Sequence, residues 1–131
     1  MLLQPDMRPS FDNDVSRILK EASARGVGVE IIGSGSKRAI GRPTNVSHFL
    51  STSMMKGVPL SEPNEMVMSV RSGTLVSDVM ATLAKHGQML AFEPSEFAGV
   101  IGADARAATM GSVFATNASG ARRVLAGAAR D

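Results

Sequence analysis

Val27-Gly28-Val29-Glu30-Ile31-Ile32-Gly33-Ser34-Gly35-Ser36-Lys37 is a short β-branched run, bounded by glycine, that passes at once into four small residues and a lysine. The run reads as a buried strand. Consecutive small residues after it leave backbone N–H groups free to form a nest for an anion. Two familiar phosphate motifs are not met. A Walker loop places four residues between its first glycine and a Gly-Lys-Ser/Thr, which is lacking here. A dinucleotide fingerprint needs a third glycine where Arg38 stands and a helix beginning there, and Gly41-Arg42-Pro43 opposes such a helix. Two readings remain: a nest for diphosphate aided by Lys37 or Arg38, or a plain surface turn.

Upstream, Phe11, Val15, Ile18, Leu19 and Ala22 recur at spacings of three and four, with Asp12 and Asp14 near the start and Gly26 after the end. That spacing predicts an amphipathic helix from Phe11 to Arg25. Downstream, Thr44–Leu50 is expected as a second strand, and Met54–Asn64, with Gly57, Pro59 and Pro63, as a link between lobes or strands. Glu65–Arg71 alternates like a strand and Ser72-Gly73 turns it. Thr74 is placed to cap a helix over Leu75–His86, with Val76, Val79, Met80 and Leu83 as its apolar face and Gly87 as its left-handed stop. Met89–Phe92 reads as a short strand ending at Glu93-Pro94, and residues 95–108 are rich in alanine and glycine and ambiguous.

A second run of small residues, Thr109-Met110-Gly111-Ser112-Val113-Phe114-Ala115-Thr116-Asn117-Ala118-Ser119-Gly120, has two readings. It is a tightly packed helix start, or a wall that lets a ligand approach the backbone. Asn117 favours the second slightly, because a buried amide needs a hydrogen-bond partner and a ligand ring edge is one candidate.

Composition narrows the chemistry. The 131 residues, 44% of them hydrophobic and 20% charged, make one globular domain or less. With 14 basic and 12 acidic side chains the formal charge is +2, too small to imply a polyanion partner, so nucleic acid is not expected. There is no cysteine, which removes disulfides, thiol catalysis and cysteine-ligated metals. Nine methionines take over part of the packing that aromatics would do, there being five Phe and no Trp or Tyr. Met1-Leu2-Leu3 leads straight into Gln4-Pro5-Asp6, so no signal peptide or membrane span is expected and the default location is the cytoplasm. His48 and His86 lie on different elements without metal-ligand spacing and read as structural. Glu93 and Glu96 read as solvated turn residues. Arg122, Arg123 and Arg130 have two readings, a solvated face, which is favoured, or a contact with phosphate or a partner.

Taken in order, Ile31–Lys37, Gly41-Arg42-Pro43, Val70-Arg71-Ser72-Gly73-Thr74, His86-Gly87-Gln88-Met89-Leu90, Phe92-Glu93-Pro94, Thr109-Met110-Gly111 and Gly127-Ala128-Ala129-Arg130-Asp131 form a series. It resembles the FAD-binding domain of the vanillyl-alcohol-oxidase and p-cresol-methylhydroxylase (PCMH) type, over about residues 15–131. The Gly-Gln-Met-Leu, Phe-Glu-Pro and Gly-x-x-Arg-Asp elements are most similar to FAD-binding subunits of bacterial glycolate oxidases. The resemblance implies an α+β, two-lobed PCMH-type domain, incomplete at its C-terminus, with the first lobe at about 1–57 and the start of the second at 58–131. It implies that Gly33, Ser34, Gly35, Ser36 and Lys37 hold the FAD pyrophosphate. Pro94 begins a second contact region, and Thr109, Met110, Gly111, Ser112, Ala115 and Asn117 belong to a third, along the ribityl chain and ring.

Ser112 departs from the glycine the family commonly carries there. A first-loop histidine for covalent attachment has no counterpart, so the flavin is expected to be non-covalent. The function implied is the FAD-binding portion of an oxidoreductase acting on a 2-hydroxy acid such as glycolate, with a partner subunit for electron transfer and no catalytic acid or base in this chain. The alternative is a truncated, non-enzymatic remnant or association module.

Overall fold

Helix α1 spans Asp12–Ala24 and buries Ile18 and Ala22, four residues apart on one face. Phe11 stands just ahead of it in an extended conformation and is 62% exposed, so the predicted apolar stripe loses its first member. Asp12 and Asp14 occupy the first turn, where carboxylates complement the helix's positive end. The helix stops as expected. Gly26 takes φ +61°, Val27 N donates to Ala22 O (2.9 Å) and Gly26 N to Ser23 O (3.1 Å), satisfying carbonyls that the helix leaves open. These elements are taken from a computed structural model, which describes residues 2–38, 40–94 and 108–131.

Three short strands follow: β1 Asp6–Met7, β2 Val29–Ile32 and β3 His48–Ser51. They form a parallel sheet in the order β1-β3-β2, with Met7 and Ile31 both opposite Leu50. The sequence did not announce β1, and β3 is narrower than Thr44–Leu50 and runs one residue further. Leu50 at 0% exposure anchors a cluster with Leu3, Met7, Ile18 and Ala22, so α1 covers the sheet on the face that central β3 supplies. Parallel pairing brings the C-terminal ends of β2 and β3 to the same edge, and the cleft described below opens there.

The second half has its own core. Strands β4 (Leu60–Glu62) and β5 (Val67–Ser69) pair antiparallel, so the stretch expected as a linker holds a strand. A 3₁₀ turn at Pro63–Glu65 joins them and leaves Met66 at φ +53°, which trims the expected Glu65–Arg71 strand. Helix α2, Val76–Ala84, buries Val76 and Val79, but Met80 is 49% exposed. Gly87 takes φ +65°, with Gln88 N donating to Leu83 O (3.0 Å) and Gly87 N to Ala84 O (3.1 Å). Thr74 does not cap α2. Its hydroxyl instead accepts from Gly57 N (2.9 Å) and donates to Gly57 O (3.1 Å), clasping the start of α2 to the Gly57 turn.

Met89–Phe92 is not a strand. Pro94 forms an isolated antiparallel bridge with Ser119, and Phe92 packs edge-on against Phe114. Helices α3, Met110–Thr116, and α4, Arg123–Ala126, complete the chain. Val76, Val79, Ala108, Met110 and Val113 form the second cluster. The ambiguous segment 95–107, with Glu96, lies outside the described residues.

Glu93 is not the free turn residue expected. Its carboxylate accepts from Arg122 Nε (2.7 Å) and Arg122 N (3.1 Å), and these bonds hold it below the usual glutamate range. A carboxylate depressed in the folded state stabilises above its unfolded pKa, about 4.3, and loses that contribution as pH falls through its lower folded value. Acid titration of Glu93→Gln should therefore show a shallower loss of stability below about pH 4 than the parent chain, followed by circular dichroism. Equal slopes would mean the pair contributes nothing measurable.

Candidate functional site

The C-terminal end of β2 runs into Gly33-Ser34-Gly35-Ser36, and that of β3 into a 3₁₀ turn at Thr52–Met54. The two are tied together. Ser51 Oγ donates to Gly33 O (2.8 Å), Thr52 Oγ1 to Ile32 O (3.4 Å), and Ser53 N to Ser51 Oγ (3.3 Å). Facing them is the first turn of α3. A Cβ built on Gly33 would collide with Thr109 Oγ1 and stand 3.3 Å from Thr109 Cβ. One on Gly111 would lie 2.9 Å from both Cβ and O of Ser72. Absence of side chains at these two positions is what lets the β2 loop, the Ser72 turn and α3 approach each other.

Between them lies a cleft of about 370 Å³ lined by Gly33, Ser34, Gly35, Ser36, Lys37, Gly111, Ser112 and Ala115, all named from the sequence. The other four named residues lie elsewhere. Thr109 is 1% exposed beneath Gly33, as floor rather than lining. Met110 lines an adjoining apolar cleft of about 440 Å³ with Met68, Val79, Leu90, Phe92 and Phe114. Pro94 pairs with Ser119. Asn117 closes α3 at φ +48° and its Oδ1 accepts from Arg130 N (3.0 Å), so its amide oxygen already has a protein donor.

Residues that the sequence did not single out also face the cleft, among them Thr52 and Ser72. Ser72 lines both cavities, its carbonyl accepts from Gly111 N (2.8 Å), and its hydroxyl is buried without a hydrogen-bond partner among the described residues. The sequence signals for it were its place in the Ser72-Gly73 turn and in the Val70–Thr74 element of the family series, neither of which marked it as a cofactor contact.

Charge in the cleft is unevenly distributed. Arg38 lines the cleft with its charge already paired: its guanidinium meets Glu30 in two bonds of 2.9 Å and lies 4.9 Å over the Phe49 ring. Thr44 Oγ1 donates to the same carboxylate (2.9 Å), and these donors hold Glu30 below the ordinary glutamate value. Lys37 differs. Its Nζ crosses to α3 and donates to Ser112 Oγ (3.1 Å), and burial lowers its pKa from the ordinary lysine value. Among the described residues no carboxylate lies within ion-pair distance of it.

These features fit a flavin dinucleotide: small residues against which a diphosphate can meet backbone donors and, among the described residues, a half-buried cation without a counter-charge and a buried hydroxyl lacking a partner. The chain belongs to the family described as FAD binding domain, which it matches over residues 6–131, and FAD is the cofactor that family binds. It is 34% identical over 101 residues to the glycolate oxidase subunit GlcE of Escherichia coli (strain K12), covering 77% of this chain and 27% of that protein. Two solved structures of alkyldihydroxyacetonephosphate synthase superpose with TM-scores of 0.72 and 0.70 at 22% and 24% identity. Each match covers 96% of this chain and 24% or 23% of the other. At that identity the likeness establishes the fold, the α+β PCMH type. The chain spans about a quarter of the length of these relatives. Among the described residues no helix is long and apolar enough to cross a membrane.

Proposed function

We propose that this chain is the FAD-holding portion of a flavin-dependent oxidoreductase that oxidises a 2-hydroxy acid such as glycolate. The observation that carries the cofactor assignment is the cleft in which the Gly33–Lys37 loop faces Gly111, Ser112 and Ala115. The substrate class rests on the likeness to a protein named glycolate oxidase subunit. In this reading Gly33–Ser36 present backbone donors to the diphosphate, and Gly111 and Ala115 leave a wall without bulky side chains for the flavin. Thr109 sets the floor beneath Gly33, and Met110 belongs to the apolar cleft alongside. Pro94 and Asn117 act at one remove, fixing the segments that follow the wall.

Bound FAD supplies the acceptor for a hydride equivalent from the α-carbon of the substrate. This chain's residues bind and orient it, and none of them is assigned as acid or base. In this reading the first loop, which carries no histidine, holds the flavin non-covalently. The boundary between a first lobe ending near Gly57 and a second beginning at Val58 is part of the same proposal; the two apolar clusters fall on either side of it. So are a cytoplasmic location and assembly with a partner subunit that takes up the electrons, the latter because the relative is itself named a subunit.

Titrating the purified chain with FAD should quench flavin fluorescence in a saturable, stoichiometric manner. A linear, non-saturating response would remove the claim that these residues hold the cofactor by themselves.

A further inference from the structure

We propose that Lys37, held in place by Ser112, is the determinant by which this cleft selects a phosphate-bearing flavin over an uncharged one. The proposal rests on the FAD reading above and adds to it a specific pair of residues and the selectivity they confer.

Of the charged groups facing the cleft, Glu30 and Arg38 neutralise each other, and Arg42 lies on its exposed rim. Glu30 and Lys37 are both half-buried, but Glu30 already has its counter-charge in Arg38, which leaves Lys37 as the half-buried charge without one among the described residues. Placing an ammonium partly out of water is unfavourable without a counter-charge, and its described partner is a neutral hydroxyl. An ammonium has three N–H donors, and Ser112 takes one. The remaining two are available to an anionic oxygen entering the cleft, where reduced solvation strengthens the attraction.

Ser112 is suited to this task by its own bonding. Its hydroxyl donates to Thr109 O (2.7 Å), which fixes the hydrogen and turns a lone pair toward Lys37. Thr109 is itself buried, so the acceptor sits on a fixed point of α3. A glycine at 112 would leave the flexible lysine stem without an anchor across the cleft. Lys37 would then keep its charge but lose its preset position, and binding would carry the cost of ordering it. Ser112 is thus a positioning residue, and Lys37 the group that meets the ligand.

The test compares the 131-residue chain with Lys37→Met, Lys37→Arg, Ser112→Gly and the Lys37→Met/Ser112→Gly double variant. FAD and riboflavin are titrated by fluorescence quenching, and inorganic diphosphate by its effect on thermal unfolding. Lys37→Met should weaken FAD about tenfold and abolish the diphosphate shift, while riboflavin stays within about twofold. Ser112→Gly should weaken FAD about threefold, and should do nothing further in the Lys37→Met background, because its effect acts through the lysine. Lys37→Arg should restore part of the FAD preference. Equal losses for FAD and riboflavin, or no loss for either, would overturn the proposal while leaving FAD binding intact. If flavins fail to bind but a Lys37-dependent diphosphate shift persists, the flavin reading falls and the anion role stands. If the parent chain binds neither, both fall. Should Lys37→Met not fold, Ser112→Gly and Lys37→Arg carry the same comparison.

Discussion

Replacing Gly73 by alanine should destabilise the chain by about 3 kcal/mol, near the upper end of what forced overpacking costs. The new Cβ would collide with Thr52 O and lie 3.0 Å from Met55 O. Both are backbone carbonyls and neither can swing aside like the tip of a long side chain. Relief would require moving the Thr52–Met54 turn and lengthening the bond from Gly73 N to Met55 O, now 2.8 Å. That turn is joined through Ser51 to Gly33, so the disturbance reaches the cofactor cleft as well. Thermal unfolding should show a fall in Tm of about 10 °C. Gly28→Ala is a suitable control, since its Cβ would meet only the Val46 side chain. A Gly73→Ala variant within about 2 °C of the parent would show that the junction is softer than its contacts indicate.

Gly33→Ala should have the largest effect on ligand binding. Its Cβ would press on Thr109, whose carbonyl receives Ser112 N (3.0 Å), Val113 N (3.2 Å) and the Ser112 hydroxyl. The β2 loop and α3 would be pushed apart, and the nest and the wall would no longer face the same ligand. We expect FAD affinity to fall by about two orders of magnitude, equivalent to about 2.7 kcal/mol. The Gly33→Ala/Thr109→Ala double variant should recover most of it, because the collision is with one side chain. Failure of the double variant to recover would point instead to the backbone conformation of the loop as the property that alanine disturbs.

Local signals in the sequence are legible where they are dense. Helix α1 declared itself through Val15, Ile18 and Ala22 and through Gly26, and α2 through Val76, Val79 and Gly87. Strand β2 was legible as a strand because β-branching and a glycine boundary coincide, but not as a buried one. It spans only Val29–Ile32, none of its residues is buried and Ile31 is 58% exposed, because β2 lies at the edge of the sheet. Sparse or long-range features were not. β1 and β4 have only two and three residues, too few for alternation to register, and their existence depends on partners distant in the chain. Thr74 looks like a cap from its neighbours, yet a competing pair of bonds to Gly57 takes its hydroxyl. At the site, the small residues of both runs pointed to close backbone approach, and most of them do line one cleft. What the sequence could not convey was Lys37 reaching Ser112, 75 positions away, or Arg38 being taken up by Glu30. Both are tertiary choices between similar side chains.

The order of the parallel sheet bears on how the cofactor comes and goes. The loop that would carry the diphosphate leaves β2, an outer strand, rather than β3, which is enclosed between its neighbours. Neither apolar cluster contributes to the lining of the first cleft. Emptying and refilling that cleft therefore requires no breathing of the cores. Cofactor-free chains should reload without first unfolding.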